Sequence, residues 1–235
     1  MFDVGLSKRK IKERIEPLVY RFGVSMQGST PYVDLVDTMS LFEPTRETSL
    51  IRLGGDGDGG YWVPESIAEI DALLSPGVNG LWNFEMDLKN QFGVQAYLCD
   101  RADATEGSPF PAIDKYVGSH TNGKFISMDK WVEDLGLSDS RDLGLQMDIE
   151  GAEYPTILGM SETLMGNLKI MVVEFHWLDQ ITNTRVNSLL VKPTIAKILN
   201  THEVVHAQVN PLVRYSKIRN LILPMALEVT FARRA

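Results

Sequence analysis

The chain has 235 residues, 44% of them hydrophobic, and a formal net charge of −8 at pH 7. This length suits one large domain or one domain with an extension, and the hydrophobic share is ample for a buried core. The acidic balance argues against broad electrostatic binding to nucleic acid. Cys99 is the only cysteine, which excludes an intrachain disulfide and a cysteine-based metal knuckle.

The sequence contains no run of about 20 apolar residues and no signal peptide, so we expect no membrane span. Together with the single cysteine, this favours a soluble protein of the cytoplasm, a reducing compartment. The basic segments 8–14 and 233–234 are expected to be solvated faces.

The N-terminal half alternates helical and extended patterns. Segment 7–22 has helical spacing, and we expect an N-terminal helical extension over residues 1–45 ahead of one domain over residues 46–235. The next predicted elements are a strand at 49–53, a glycine turn at 54–60, an apolar run within 69–80 that ends in a loop, a helix at 81–92 and a strand at 94–100.

The C-terminal half continues the alternation. Its predicted elements are a third strand at 124–128, a helix at 129–137, a strand at 143–151, a helix at 152–165 broken early by Pro155, a strand at 169–177, a helix at 192–201, and strands at 203–210 and 226–233. Alternation at this spacing, with strands apolar on both faces, predicts an α/β fold with a doubly wound, mostly parallel sheet.

Such sheets bind ligands beyond the carboxyl ends of their strands. Five polar residues lie at those predicted ends, which makes them candidates for a site: Asp100, Asp148, Glu150, Glu174 and His176. The alternative is that these acids only cap the turns between strands and helices.

Residues 201–206, THEVVH, contain His-Glu-x-x-His, in which two imidazoles bind zinc and a glutamate activates water. In a helix His202 and His206 would share one face, but in a strand they would lie about 13 Å apart. Val204 and Val205 favour a strand, and no histidine follows as a third ligand. We therefore expect a strand and disfavour a metallopeptidase.

Gly55, Gly57 and Gly60 match the G-x-G-x-x-G of dinucleotide-binding loops, and the interleaved aspartates imitate a calcium loop. A dinucleotide loop needs a helix directly after it, whereas 61–64 reads as extended. A calcium loop needs glycine where Tyr61 stands. We expect a turn whose glycines accept positive φ, with a loop that approaches a small ligand as the alternative.

Residues 147–158, MDIEGAEYPTIL, resemble the D-[IV]-E-G-A-E segment of the FkbM-type methyltransferases. IRLGGDGDGGYWVP, LLSPGVNGLWNFEMDL, VVEFHWL and ILPMALEVTFAR are similar to further segments of that family, in the same order, from about residue 50 to the end. These are class I, S-adenosylmethionine-dependent enzymes, and many methylate sugar hydroxyls. The resemblance implies a Rossmann-like, doubly wound, mostly parallel seven-stranded sheet.

The resemblance also implies where S-adenosylmethionine binds. An acid that ends the second strand, here Asp100, accepts both ribose hydroxyls, and Glu85 is expected to meet the ammonium group. Gly77 and Gly80 have an ordinary turn as the alternative, and Asp129 a helix N-cap. The expected cofactor contacts are Ser75, Pro76, Gly77, Gly80, Glu85, Asp100, Arg101, Ser127, Met128 and Asp129.

A sugar hydroxyl is a poor nucleophile near neutral pH, so an enzyme must orient it and remove its proton. His176 is the expected general base, and Asp148 and Glu174 are the expected ligands of Mg²⁺ or Mn²⁺. The expected substrate contacts are Glu150, His206 and Asn210, with a structural histidine as the alternative for His206. Glu150 and Glu153 have the alternative role of orienting the loop and helix.

The sequence thus predicts an O-methyltransferase that acts on a sugar or glycan, with no nucleic-acid partner. A glycosyltransferase, fused or separate, is a natural companion for such an enzyme. Two other functions stay open: a nicotinamide-dependent oxidoreductase on the same sheet class, and a non-catalytic methyltransferase-like binding domain. The identity of the sugar and the oligomeric state are left open.

Overall fold

The computed structural model describes residue 16 and residues 28–57, 59–210 and 213–234. The helix expected over 7–22 therefore lies outside the described residues, apart from residue 16, and the division at residue 45 stays a prediction. Among the helices of the described ranges, none is both long enough and apolar enough to cross a membrane.

Helices and strands alternate along most of the described chain. The first half contains α1 (Tyr32–Ser40), β1 (Leu50–Leu53), β2 (Tyr61–Pro64), β3 (Ala72–Pro76), α2 (Asn83–Phe92), β4 (Gln95–Asp100), α3 (Ala102–Thr105), β5 (Ala112–Asp114), β6 (Tyr116–Gly118), β7 (Phe125–Ser127) and α4 (Met128–Asp134). The second half contains β8 (Leu143–Met147), α5 (Glu153–Gly159), α6 (Glu162–Asn167), β9 (Leu168–His176), α7 (Thr184–Val186), α8 (Lys192–Leu199), β10 (His202–Val209), β11 (Tyr215–Ile218), β12 (Leu221–Pro224) and β13 (Ala226–Arg233).

Seven of these strands form one sheet in the order β10-β13-β9-β8-β3-β4-β5. Every pairing is parallel except those of β13, which runs antiparallel to both of its neighbours. Within this sheet the chain starts at β3 in the middle, continues through β4 to β5 at one edge, and then returns through β8 and β9 to β10 at the other edge. The predicted fold class, a doubly wound and mostly parallel seven-stranded sheet, is confirmed.

The sheet separates two hydrophobic clusters. Along β9, Met171 and Val173 belong to one cluster and Ile170 and Val172 to the other, because successive side chains of a strand point to opposite faces. Both faces are covered by apolar side chains, which explains why β8 and β9 read as continuous apolar runs.

Helix α1 contributes to the first of these clusters. Leu35 is buried there, and the ring of Phe42 meets that of Phe175 edge-on at 5.5 Å. Thr38 donates a hydrogen bond to Oδ1 of Asn187 at 2.9 Å. The chain between residues 32 and 42 is therefore packed into the same core as the sheet.

Two expectations about local structure are wrong. Pro155 does not break its helix, since α5 runs from Glu153 to Gly159 with the proline in its first turn, where a missing N–H is tolerated. The break comes later, where Ser161 accepts the N–H of Leu164 and begins α6.

The third strand of the sheet is also not the one expected. Residues 125–127 do form a strand, but β7 pairs only with β6 in a separate two-stranded sheet. The edge position beside β4 belongs to β5, a three-residue strand whose exposed residues give a weak sequence pattern.

The parallel arrangement brings the carboxyl ends of β3, β4, β8, β9 and β10 to one edge of the sheet. The hairpin of β11 and β12 connects β10 to β13 at this same edge. The polar residues that follow the strands are therefore gathered there, as the sequence predicted.

Candidate functional site

A cavity of about 550 Å³ lies at this carboxyl edge, a volume typical of small-molecule sites. Its walls come from the ends of β3, β4 and β8, the start of β2, helix α2 and the small sheet of β6 and β7. Among the residues that line it are Tyr61, Gly77, Asn79, Glu85, Asp100, Arg101, Tyr116, Phe125, Gln146, Asp148 and Glu150.

The loop after β3 reaches this cavity by passing very close to the end of β8. Gly77 has φ +84°, and a Cβ there would lie 1.7 Å from the carbonyl oxygen of Asp148. The N–H of Asp148 donates to the carbonyl of Pro76 at 3.3 Å. Only glycine fits at residue 77, because any side chain would collide with backbone and strain φ.

Asp100 ends β4 and is nearly buried in the cavity wall. The N–H of Asn79 donates to its Oδ2 at 3.0 Å, and the N–H of Arg101 donates to its Oδ1 at 2.7 Å. A carboxylate has about four acceptor positions, so each oxygen can still accept a hydroxyl. Two fixed oxygens facing a cavity suit a vicinal diol.

A chain of buried hydrogen bonds crosses the cavity wall from α2 to β2. Ser75 contacts Oε1 of Glu85, and its hydroxyl also lies 2.7 Å from Oε1 of Gln146. Nε2 of Gln146 donates to the hydroxyl of Tyr61 at 3.2 Å. Burial raises the pKa of Glu85, because desolvation disfavours the charged carboxylate.

His176, the last residue of β9, is held by Glu153 at the start of α5. Nδ1 of His176 lies 3.0 Å from Oε1 of Glu153, which is fully buried and also accepts the N–H groups of Ile149 and Gly151 at 3.1 Å. The hydroxyl of Tyr154 donates to the carbonyl of His176 at 2.7 Å. The imidazole is thus fixed with Nδ1 as donor and Nε2 directed elsewhere.

Nε2 of His176 faces three further carboxylates. It lies 3.6 Å from Glu150 Oε2, 3.7 Å from Asp148 Oδ1 and 4.0 Å from Glu174 Oε1. Oδ1 of Asp148 is buried and accepts no hydrogen bond from any described residue. The metal-ligating atoms of Asp148, Glu150 and His176 lie within 4.8 Å of one another.

These carboxylates shift each other's protonation. Burial raises the pKa of Asp148 to about 8, with a further contribution from the charge of Glu174. Burial alone lowers the pKa of His176, but the hydrogen bond and charge of Glu153, with Asp148 and Glu174, outweigh it and raise the pKa to about 9. The cluster therefore retains protons at neutral pH unless another cation enters it.

Only some of the other expected cofactor contacts lie in the wall of the cavity. Arg101 lines the cavity, whereas Ser75 lies behind its wall, bonded to Glu85 and Gln146. Pro76 ends β3 and Gly80 lies in the loop that follows, on either side of the cavity-lining residues 77–79.

Ser127, Met128 and Asp129 do not line the cavity. Ser127 caps α4, Met128 is buried in the core, and Asp129 accepts the N–H of Ser161 at 3.0 Å. The small sheet instead brings the half-exposed rings of Tyr116 and Phe125 to the cavity, with centroids 5.9 Å apart.

Sequence reasoning missed several of these lining residues. Tyr116 and Phe125 lie nine residues apart and meet only because β6 pairs with β7. Tyr61 and Gln146 gave weak signals too, although Tyr61 directly follows the glycine motif and Gln146 is a polar residue inside an apolar strand.

Residues 202–209 form strand β10, which confirms the expectation that the His-Glu-x-x-His pattern is extended. His202 is fully buried, with Nε2 donating to the carbonyl of Leu168 and the hydroxyl of Thr201 donating to Nδ1, both at 2.8 Å. Burial lowers its pKa, because desolvation disfavours the charged imidazolium. With both ring nitrogens engaged, His202 cannot bind a metal.

His206 lies farther along β10, and Asn210 directly follows the end of that strand. The ring of His206 is 6.2 Å from that of Trp62, and burial lowers its pKa. Asn210 donates to Oε1 of Glu174 at 3.0 Å and so joins the acidic cluster. Of the three expected substrate contacts, Glu150 and Asn210 lie at the cluster, and His206 lies beside the hairpin of β1 and β2.

Comparisons with known proteins give no match to a family model and no match among curated proteins. Solved structures that resemble the chain include a 30S ribosomal A1408 methyltransferase from an uncultured bacterium, with 9% identity, a TM-score of 0.37, and coverage of 78% of this chain and 100% of the other. Another is a SAM-dependent methyltransferase from Archaeoglobus fulgidus, with 12% identity, a TM-score of 0.38, and coverage of 72% and 88%. A third is a precorrin-6y C5,15-methyltransferase from Geobacter metallireducens, with 8% identity, a TM-score of 0.38, and coverage of 88% and 95%.

Proposed function

We propose that the chain is an S-adenosylmethionine-dependent O-methyltransferase that acts on a hydroxyl of a sugar or glycan, as the FkbM-type resemblance of its sequence implies. The observation that carries the proposal is the position of Asp100. Its two fixed carboxylate oxygens face a cavity of about 550 Å³ beside the cluster around His176. A binding cavity and a proton-accepting cluster thus share the loop that begins at Asp148.

The cavity suits the three parts of this cofactor. Asp100 offers acceptors for the ribose diol, and the aromatic pair of Tyr116 and Phe125 offers flat apolar surface for adenine. Glu85 is buried and lines the same cavity, and the positive charge of an ammonium group beside it would favour its ionised form. When bound, the cofactor would supply a methyl group on a sulfonium: the acceptor oxygen would bond to the methyl carbon in line with the C–S bond, which would break and release S-adenosylhomocysteine.

The acceptor must lose its hydroxyl proton as the new bond forms. Nε2 of His176 is the proposed proton acceptor, because Glu153 occupies Nδ1 and fixes the ring. A pKa near 9 leaves Nε2 protonated at neutral pH in the absence of other cations. Offsetting the charges of Asp148 and Glu174 would lower the pKa of His176 and prepare it to accept a proton.

Mg²⁺ or Mn²⁺ would supply the positive charge that offsets these carboxylates. Oδ1 of Asp148 is buried and accepts no hydrogen bond from a described residue, which is the observation in favour, and a carboxylate donor set suits these ions. Asp148 and Glu174 are the expected ligands, and a carboxylate oxygen of Glu150 lies within 4.8 Å of one of Asp148, so carboxylates would hold the ion and leave Nε2 of His176 to accept the proton. The ion would supply positive charge beside the acceptor oxygen.

Neither alternative gains a specific observation. A nicotinamide-binding loop needs a helix directly after its last glycine, but Gly60 is followed by strand β2. Only a measurement of turnover distinguishes a non-catalytic binding domain from an enzyme.

The test is calorimetric titration with S-adenosylhomocysteine. We compare the native protein, Asp100→Asn, which preserves the size of the side chain, and Glu106→Gln, which removes an exposed acid that does not line the cavity. Loss of charge-assisted hydrogen bonds should weaken binding about tenfold or more in the first variant and leave the second unchanged. Absence of binding to the native protein would overturn the proposal, and binding of NAD⁺ instead would favour the oxidoreductase.

Turnover and the metal are tested separately. Isotope-labelled methyl transfer from S-adenosylmethionine to a panel of glycosides should be detected, and removal of divalent ions with a chelator should abolish it until Mg²⁺ or Mn²⁺ is restored. Full activity in the chelator would remove the metal from the proposal. Cofactor binding without transfer to any glycoside would remove the sugar acceptor.

A further inference from the structure

Trp177 follows His176 directly and has an unusual backbone. Its φ of 60° and ψ of 31° place it in the left-handed region, which costs a bulky L-residue free energy unless the surrounding structure holds it there. The residue is 54% exposed, so burial of its indole does not explain the conformation. Strained residues of this kind concentrate at functional sites.

The indole is held in place by a second strained segment. Gly151 has φ +102°, and a Cβ at that position would lie 3.3 Å from Cδ2, Cε2 and Cε3 of Trp177. Glu150, just before it, has φ 57°. The indole therefore lies against the backbone of the loop that carries Asp148 and Glu150, where a larger residue than glycine would displace it.

We propose that the indole of Trp177 is the platform on which the acceptor's sugar ring stacks, with Glu150 and Asp148 accepting hydrogen bonds from its hydroxyls. This subsite rests on the proposed function and deepens it. The exposed indole surface matches the apolar C–H face of a pyranose ring. The carboxylates supply acceptors for its hydroxyls, within 4 Å of the proposed proton acceptor His176.

The charges favour a neutral sugar over a nucleic acid. A nucleobase also stacks on an aromatic ring, but it would bring its phosphate to the exposed carboxylate of Glu150, in a chain of net charge −8. Electrostatic repulsion between such neighbouring negative charges would oppose binding.

The experiment is saturation-transfer NMR with S-adenosylhomocysteine present at saturation. The probes are methyl glycosides of neutral hexoses and 6-deoxyhexoses, with adenosine monophosphate as the anionic comparison. The variants are Trp177→Ala, Trp177→Phe and Phe125→Ala, the last of which removes an aromatic ring of the cofactor cavity. Circular dichroism checks that each variant folds.

We expect at least one glycoside to receive saturation on its ring protons and to lose about tenfold in affinity in Trp177→Ala. Trp177→Phe should retain most of the affinity. Phe125→Ala should weaken S-adenosylhomocysteine and leave the glycoside, measured at cofactor saturation, unchanged.

Equal glycoside signals in the native protein and Trp177→Ala, or no glycoside signal while the cofactor product binds, would overturn the platform and leave the methyltransferase proposal standing. Trp177-dependent binding of adenosine monophosphate in place of glycosides would also overturn it. Failure of S-adenosylhomocysteine to bind is a different result, which removes the proposed function itself.

Discussion

The carboxylate of Glu153 lies 3.0 Å from Nδ1 of His176, although the two residues begin and end different elements, α5 and β9. Glu153 is fully buried and makes its other bonds to backbone N–H groups of the preceding loop. One side chain thus fixes both the loop over residues 149–151 and the direction in which Nε2 of His176 points.

Glu153→Gln should therefore lower the pKa of His176 from about 9, because the variant removes the charge that favours the imidazolium. A histidine whose folded pKa is raised stabilises the fold fully below its ordinary value of about 6.5, and this contribution is lost as pH rises through about 9. In a chelator, the free energy of unfolding should fall less over this interval in the variant than in the native protein. NMR titration of the histidines and urea unfolding measure the two effects.

The control is Glu133→Gln, which removes an exposed partner of Lys130 far from the cluster. Its histidine titration should match that of the native protein. An unchanged pKa for His176 in Glu153→Gln would show that Glu153 does not hold the imidazolium.

Gly77 and Gly80 form a matched pair with opposite surroundings. Both have positive φ, of +84° and +83°, but a Cβ at Gly77 meets backbone at 1.7 Å and one at Gly80 meets nothing within 4 Å. Gly80→Ala should cost about 1 kcal/mol through backbone strain, and Gly77→Ala about 3 kcal/mol or more through strain and collision together. Thermal or urea unfolding measures both, and equal costs would contradict the close approach to Asp148.

The two histidines of the His-Glu-x-x-His pattern should also differ in how much stability their replacement by alanine costs. His202→Ala leaves the buried carbonyl of Leu168 without its donor and opens a cavity, so we expect it to cost about 3 kcal/mol. His206→Ala should cost about 1 kcal/mol or less, since Nε2 of His206 has no hydrogen-bond partner among the described residues. Unfolding in urea gives both values, and an increase in native stability on adding zinc would contradict the structural role of His202.

The strain at Trp177 can be measured without a ligand. Trp177→Gly and Trp177→Ala both remove the indole, but only alanine keeps a Cβ at φ 60°. The glycine variant should be more stable than the alanine variant by roughly 0.5–1 kcal/mol.

Trp62, in the extended strand β2, provides a control at which the stability difference between glycine and alanine should have the opposite sign. There glycine should be less stable than alanine by roughly 0.5–1 kcal/mol. Differential scanning calorimetry of the four variants tests the comparison, and the same order at both positions would contradict strain at Trp177.

The sequence by itself determined the class of the sheet and the edge at which the site lies. Alternating apolar runs and helical spacing record which faces of each element are buried, and those patterns are local. Asp100, Asp148, Glu174 and His176 could be predicted as neighbours because carboxyl ends of parallel strands share one edge. The strand at 202–209 followed from its β-branched residues.

Only the tertiary structure decided which side chains meet within that edge. The third strand of the sheet is β5, the aromatic pair of Tyr116 and Phe125 forms through β6 and β7, and Glu153 meets His176 across 23 residues of sequence. The contact of Trp177 with Gly151 likewise depends on how the loop after β8 packs against the end of β9. These contacts arise from the packing of elements distant in sequence, and periodicity records only which face a residue occupies, not the residue it meets.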